Sequence, residues 1–339
     1  MYTREDVNEN TIVLTMTIPR EAFDKSYKAI LKDQTKDSKV KGFRKGKVPS
    51  ELLEPSMKPM LQFKTFEKLA PMYINTAIQK EKIELIAPPK YSKLPKFDTK
   101  DDLEFKVEVT IMPEFKLGNM KKVKIEKKEV SIEKKDVDQA IQEIKTNNKT
   151  KVKKIGDSWA KEIAKKLKLK DITNLEELKK EIKNILTKQK EQMLRHTYQE
   201  NALKQAINLS DIKIPQPAIE FEAKEREKAF EQEMQQRGIK VNDFVKQSNL
   251  KMEQMREAWL KDAKDALESD AFLTLYANKR NIKVEKEEID KKIEIIKKSR
   301  PNVDQSIFSN DQWLEYIKKV ERKEKAFKEF IKETLGKEF

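Results

Sequence analysis

The residues that could bind a ligand or take part in a reaction are concentrated in one basic stretch, KVKGFRKGKVPSELLEP, residues 39–55. Six lysines and arginines and a single acid lie between Lys36 and Lys47, so the local net charge is +5. A segment of this charge attracts phosphate or carboxylate groups. Three roles are open for it: a solvated turn, a phosphate cradle, or a docking tip for a large anionic partner.

The order of residues in this stretch is more specific than its charge. Gly42 and Gly46 permit backbone conformations that other residues avoid, so a tight loop can present Phe43 and Arg44 at its tip. Arginine offers a planar fork to carboxylate or phosphate, and phenylalanine offers a stacking surface. A purely solvated turn leaves this Gly-Phe-Arg-Lys-Gly order unexplained.

A nucleotide-binding role is disfavoured. The spacing from Gly42 to Gly46 and Lys47 is one residue short of a Walker A loop, and Val48 stands where a magnesium-binding serine or threonine is needed. The chain has only six glycines, which also gives poor support to a dinucleotide-binding fold.

The sequence contains few residues that could support other catalytic chemistry. The chain has no cysteine and a single histidine, His196, within a long helical pattern, so we expect neither a metal site nor a catalytic triad. Acidic residues occur in mixed charge runs, which are usually solvated helix faces. We therefore expect no catalytic residues, no metal and no cofactor.

Composition favours an anionic partner. The chain has 339 residues, of which 39% are charged and 37% apolar, and its net charge is +15. This balance attracts RNA, DNA, anionic membranes or acidic proteins, although a lysine-rich surface alone can produce it. The N-terminus is polar and no long apolar run follows, which predicts a soluble, cytoplasmic protein.

The first part of the chain predicts a compact α+β domain over residues 1–118. Alternating apolar residues indicate strands at 11–18 and 102–112. Helical spacing indicates a helix over 20–36 and a second over 57–83, which two internal prolines are expected to kink or divide. The basic loop joins these two helices.

The rest of the chain predicts helices. Residues 119–157 are interpreted as a linker and 158–339 as an all-helical domain. Thr173 and Glu176 fit a capping box that opens a long helix, and Gly238 fits the end of the next one. The helices are expected near 173–208, 214–238, 250–280, 285–299 and 310–335.

The stretch GFRKGKVP, residues 42–49, resembles the ribosome-docking signature of the trigger factor family of bacterial chaperones. The order of elements in 1–118, the text TIMPEFKL, the linker-like VSIEKKDVDQAI and the helical region extend this resemblance over nearly the whole chain. It implies an α+β ribosome-binding domain followed by an extended all-α domain with long helical arms.

One departure from the family's pattern is visible. Family members usually carry a prolyl-isomerase domain, resembling the FK506-binding proteins, between the linker and the helical domain. Here the linker runs within a few residues into the helical region, and only Gly156 lies between Gly118 and Gly238. We therefore expect that the isomerase domain is absent and that the chain is not an enzyme.

The resemblance implies an ATP-independent chaperone that docks at the ribosomal exit tunnel and shields nascent chains. The implied partners are protein and RNA of the large ribosomal subunit, nascent and unfolded polypeptides, no membrane, and a second copy off the ribosome. The implied docking residues are Gly42, Phe43, Arg44, Lys45, Gly46, Lys47 and Pro49. Adaptable side chains that suit client binding are Phe221, Phe230, Met234, Met252, Met255, Trp259, Trp313 and Tyr316, for each of which ordinary core packing is the alternative.

Two alternative functions stay open at this point. A general RNA-binding or membrane-surface protein would bind in proportion to its total charge, with no special role for Phe43. A prolyl cis-trans isomerase, which the family name would imply, needs an aromatic pocket that the sequence does not indicate.

Overall fold

The computed structural model describes residues 1–36, 50–148, 152, 154–248, 251–299 and 304–336. The chain divides into two compact units, one formed by 1–115 with 213–268 and the other by 116–212 with 269–339. The predicted domain limits at residues 118 and 157 stay predictions. None of the described helices is both long and apolar enough to cross a membrane.

A four-stranded antiparallel sheet forms the frame of the N-terminal part of the chain. It consists of β1 (Tyr2–Asn8), β2 (Thr11–Ile18), β3 (Lys90–Lys93) and β4 (Leu103–Thr110), in the order β1-β2-β4-β3. Alternate residues of β2 and β4 are buried, as the period-two pattern predicted.

Two helices, α1 (Arg20–Thr35) and α2 (Ser50–Glu81), share a core with this sheet. Phe66 of α2 meets Phe105 of β4 edge to face, with 5.0 Å between ring centroids. The predicted division of α2 is wrong, because the helix continues through three prolines from residue 50. Each proline removes one helical hydrogen bond, while buried residues on one face of α2 hold it against the core.

The remaining described chain is helical, which confirms the predicted fold class of an α+β part followed by an all-α region. A short 3-10 helix occupies Met120–Lys122 and another Gln305–Ser309. The α-helices are α3 (Lys134–Asn147), α4 (Asp157–Lys166), α5 (Leu175–Leu209), α6 (Gln216–Gln236), α7 (Val241–Ser248), α8 (Met252–Lys279), α9 (Lys286–Ser299) and α10 (Asp311–Thr334).

Helices α3 and α4 and the first part of α5 enclose a small core of their own, and we call the described residues of 132–186 the three-helix bundle. Trp159 lies at its centre with 0% of its surface exposed. The buried apolar residues of the bundle are Val137, Ile141, Trp159, Ala160, Ile163, Leu178 and Ile182. The predicted linker helix is therefore part of a packed bundle.

The start of α5 corrects a predicted cap. The N-cap residue is Asn174, whose side chain accepts a hydrogen bond from the Glu177 backbone N–H at 2.9 Å. The Glu177 carboxylate accepts from the Thr173 backbone N–H at 2.6 Å. The predicted Thr173–Glu176 box is thus wrong by one residue, because asparagine competes well with threonine for the N-cap position.

The end of α6 follows the predicted pattern. Gly238 has φ of +69°, and its N–H donates to the Gln235 carbonyl while the Ile239 N–H donates to the Met234 carbonyl. This pair of bonds is a Schellman motif, which satisfies carbonyls left open at a helix end.

Candidate docking and client-binding surfaces

The docking loop, residues 42–49, lies outside the described residues, so its contacts stay predictions. The structure describes the two helices from which it comes. Leu31 of α1 and Leu61 of α2 are buried, and Lys64 of α2 donates to the Gln34 side chain of α1 at 2.8 Å. The loop is therefore attached at both ends to helices that pack on each other and on the sheet.

An aromatic cluster joins α6, α7 and α8, and it contains two of the predicted client-binding residues. The Phe230 ring lies 5.5 Å from the ring centroid of Trp259 and 5.5 Å from that of Phe244. All three side chains are half-buried, so each ring packs on a neighbour while part of its surface stays exposed to solvent. We call Phe230, Phe244 and Trp259 the aromatic cluster.

Phe244 was missed by the sequence reasoning. It lies in the eight-residue α7, where Val241, Phe244 and Val245 follow helical spacing. That helical spacing was the feature of the sequence that could have identified Phe244 as part of an apolar helix face. Its contact with Phe230 depends on how two helices pack, which spacing along one helix does not show.

A shallow groove lies beside the end of α6. Its volume is about 530 Å³, and Ile239 within it is 40% exposed. Met234, which was predicted to bind clients, is only 4% exposed and packs inside the fold. The groove is lined by Glu231, Gln235, Gly238, Ile239, Lys240, Val241 and Asn242.

The start of α8 is tied to α6 by an ion pair. Arg256 donates from Nε and a terminal nitrogen to the same carboxylate oxygen of Glu227, at 2.9 and 2.8 Å. The Glu227 side chain raises the pKa of Arg256. Met252 and Met255, beside this pair, are half-buried, and Phe221 on α6 is 37% exposed.

The two predicted residues of α10 belong to the other unit. Trp313 meets Phe308 edge to face at 5.1 Å, and the Lys297 ammonium lies 4.9 Å from the centroid of the Phe308 ring. Tyr316 is 62% exposed. Ile295, also 62% exposed, was not predicted, although it lies in an apolar Ile-Glu-Ile-Ile run of α9.

The described residues offer little for metal chemistry. Among them, no group of three or more histidine, cysteine or acidic side chains is placed to hold a metal ion. His196 is largely exposed on α5, with its Nδ1 atom 3.5 Å from the Glu200 carboxylate. The candidate surfaces consist of apolar and aromatic side chains on helices.

A solved structure shares this fold. The structure titled "Promiscuous Substrate Recognition in Folding and Assembly Activities of the Trigger Factor Chaperone" matches 98% of this chain and 100% of its own, with a TM-score of 0.52 and 17% identity. The sheet with two helices and the helical remainder thus have the fold of that structure.

Family models identify the particular chaperone. The model described as bacterial trigger factor protein (TF) matches residues 1–144, and the model of its C-terminus matches residues 174–332. The chain belongs to the trigger factor family.

Curated relatives agree with this membership. Trigger factor of Staphylococcus epidermidis is 24% identical, with 86% of this chain and 88% of the relative covered. Trigger factor of Halothermothrix orenii is 24% identical, with 87% and 89% covered. Trigger factor of Desulfotalea psychrophila is 30% identical over 140 residues, which are 41% of this chain and 32% of the relative.

Proposed function

We propose that this trigger factor chaperone docks at the exit tunnel of the ribosome through residues 42–49 and shields nascent chains without ATP. The observation that carries the proposal is the combination of the docking signature within the first family match, 1–144, with a helical second match, 174–332. Its partners are then protein and RNA of the large subunit, together with unfolded polypeptides. Its location is the cytoplasm, with a homodimer as the form off the ribosome.

The docking step assigns a role to each kind of residue in the loop. Arg44 and Lys45 bind carboxylate or phosphate at the tunnel rim, Phe43 makes an apolar contact, and the glycines shape the loop. Lys47 adds attraction that weakens with salt. The proposed domains are 1–118 for docking, 119–157 as the linker and 158–339 for clients.

Co-sedimentation with ribosomes tests the docking step. The variant Phe43→Ala/Arg44→Ala/Lys45→Ala removes only two of the 74 basic residues, so total charge barely changes. We expect it to lose pelleting with ribosomes at a salt concentration that suppresses charge-driven binding to RNA elsewhere on the chain. The matched control removes two exposed lysines and an exposed methionine from α1 and α2: Lys25→Ala/Lys28→Ala/Met72→Ala.

The alternative function makes the opposite prediction. The net charge of +15 favours a general RNA-binding protein, for which the loop variant and the control variant would pellet equally well. Equal pelleting at the wild-type level rejects docking through this loop.

Client binding is proposed to use the aromatic cluster and the apolar side chains of the same helices, Phe221 on α6 and Met252 and Met255 on α8. Half-buried aromatic rings and methionines adapt to different sequences, which suits a surface that must accept many clients. Aromatic contacts contribute about 0.5–1.5 kcal/mol each, so Phe230→Ala/Trp259→Ala is expected to weaken client binding by about 1–3 kcal/mol, roughly fivefold to more than a hundredfold.

Suppression of aggregation measures this effect. A chemically unfolded client is diluted into increasing chaperone, and light scattering gives the chaperone concentration that halves aggregation. The control variant Met72→Ala/Met193→Ala removes apolar side chains that are 62% and 71% exposed outside the cluster. If both variants protect as well as wild type, the cluster does not bind clients.

We also propose that this chain has no prolyl-isomerase activity. Only residues 145–173 separate the two family matches, and much of that interval belongs to the three-helix bundle. The alignment with the Staphylococcus epidermidis relative spans 382 positions, more than the 339 residues of this chain, so that relative carries residues without a counterpart here. Catalysis above background in a proline-peptide isomerisation assay would reject this proposal.

A further inference from the structure

The interval between the two family matches carries nearly half of the net charge of the chain. Residues 145–173 contain ten lysines and three acidic residues, a net charge of +7 out of +15. The other 310 residues share the remaining +8. A lysine-rich composition spread evenly over the surface does not explain this concentration.

Helix α4 turns its apolar side inward. Trp159, Ala160 and Ile163 are each 0% exposed within the three-helix bundle. The opposite side of α4 carries Lys161 and Lys165, four residues apart and both exposed. Residues three or four apart on a helix are neighbours, so these two charges repel each other by a few tenths of a kcal/mol.

The turn after α4 continues the basic surface. Lys168 and Lys170 follow the end of the helix and are also exposed. The helix dipole favours a cation in the last turn, which explains Lys165 but not Lys161 in the helix body or the two lysines beyond the end.

The charges on this surface are largely uncompensated. Glu162 lies 3.9 Å from Lys166, at the weak limit of an ion pair. Within the described part of the chain, no acidic side chain lies within ion-pair distance of the other four lysines, Lys161, Lys165, Lys168 and Lys170. We call these four the α4 lysines.

We propose that the α4 lysines bind the phosphate backbone of double-stranded RNA, without sequence specificity and independently of the docking loop. Lys161 and Lys165 are about 6 Å apart along the axis of α4, and Lys168 and Lys170 follow in the turn after it, so the four lysines can face several phosphates along a duplex. Double-stranded RNA is recognised mainly through its shape, its phosphates and its 2′-hydroxyls, which exposed lysines on a helix and on the turn that follows it can contact.

The structure favours nucleic acid over an anionic membrane. A helix that lies on a membrane inserts a free apolar face into the lipid. The apolar face of α4 is already buried around Trp159, and Leu167, at 42% exposed, is the large apolar side chain exposed beside the lysines. The absence of aromatic rings from residues 161–170 also favours a duplex over a single strand, which stacks its bases on such rings.

Fluorescence anisotropy of a labelled 16-base-pair RNA duplex, titrated with the full chain between 50 and 200 mM salt, tests the inference. The quadruple lysine-to-glutamine variant removes four phosphate contacts. We expect the slope of log Kobs against log salt to become shallower by about 3 to 4, and affinity at 100 mM salt to fall about tenfold or more. The variant is Lys161→Gln/Lys165→Gln/Lys168→Gln/Lys170→Gln.

Two further variants make the result specific. A charge-matched control removes four exposed lysines of α9 and α10 and is expected to change the slope by about 1 or less. Lysine-to-arginine substitution at the α4 lysines keeps the charge and is expected to keep binding. The control is Lys286→Gln/Lys291→Gln/Lys298→Gln/Lys319→Gln.

The inference is overturned if the quadruple variant keeps the wild-type slope, or if the α9 and α10 control lowers it equally. It is also overturned if vesicles containing phosphatidylserine, and not RNA, are bound through the α4 lysines. Far-UV circular dichroism confirms that each variant is folded. Because the probe is free RNA, the result is independent of ribosome docking, and the loop variant is expected to bind this duplex nearly as well as wild type.

Discussion

Substitutions at Trp159 test whether the three-helix bundle is a true core. The side chain is fully buried among apolar residues of α3, α4 and α5. Its indole Nε1–H has no hydrogen-bond acceptor among the described residues. Two substitutions therefore separate the contribution of the ring from that of the N–H group: Trp159→Ala removes both, and Trp159→Phe removes the N–H while keeping an aromatic ring.

The expected magnitudes differ clearly. Trp159→Ala leaves a large cavity and is expected to lower the free energy of unfolding of the bundle by about 3–5 kcal/mol. Trp159→Phe leaves a cavity of about 40 Å³, which costs about 1 kcal/mol. Removal of a buried, unbonded N–H recovers about 1–3 kcal/mol. We therefore expect Trp159→Phe to be within about 1 kcal/mol of wild type, or more stable.

Hydrogen exchange of peptides from residues 134–186, measured by mass spectrometry, reports the stability of the bundle in the intact chain. We expect fast exchange in Trp159→Ala and near wild-type protection in Trp159→Phe. Equal loss of protection in both variants would show that the N–H is bonded and refute the reasoning. Protection unchanged in Trp159→Ala would show that the bundle is not a core.

Two further predictions concern single residues of the same unit. A methyl group on Gly118 would overlap the Leu209 carbonyl oxygen, so Gly118→Ala is expected to cost about 1–3 kcal/mol, measured as a lower Tm, and an unchanged Tm would contradict this contact. The backbone N–H of Thr173 is the main cause that lowers the pKa of Glu177. A carboxyl with a lowered pKa stabilises the fold above its unfolded pKa, and this contribution is lost as pH falls through the folded value. Because the Glu177 carboxyl is exposed, the Tm difference between wild type and Glu177→Gln is expected to be small at pH 7. It is expected to disappear in acid, where the carboxyl is protonated. A Tm difference that grows in acid would contradict this direction of the pH dependence.

The elements with one buried face were the most predictable from sequence. In β2 and β4 alternate residues are buried, and those between them are half-buried or exposed apart from Thr110 at the end of β4, so the alternating pattern in the sequence locates both strands. Strand β1 was missed because its residues are mostly exposed and it is held by backbone pairing with β2, which leaves no apolar pattern. The unbroken α2 was missed because tertiary packing outweighs three proline defects.

The candidate binding surfaces were predictable by residue type but not by arrangement. Phe230 and Trp259 were expected to be available, and their joint contact with Phe244 depends on the packing of three helices. Met234 looks equally exposed in sequence, but only 4% of it is exposed in the structure. Residue type shows that a side chain can adapt, whereas packing decides whether it is accessible.

The docking loop was identified from its residue order. The proposal that the chain docks at the ribosome depends on the contacts that this loop makes. The chain has no cysteine, so one introduced thiol gives a unique position for a photo-crosslinker. Lys47→Cys places the label in the loop and keeps Phe43, Arg44 and Lys45. Met72→Cys, at a residue that is 62% exposed on α2, is the matched position outside the loop.

Crosslinking of these two labelled variants to ribosomes is the most direct test. We predict that the label at residue 47 joins the chain to components of the large subunit at the tunnel exit. We predict that the label at residue 72 does so much less, and that the Phe43→Ala/Arg44→Ala/Lys45→Ala background abolishes the reaction at residue 47. Equal crosslinking from both positions, or crosslinking at residue 47 that survives the triple substitution, would contradict docking through the loop.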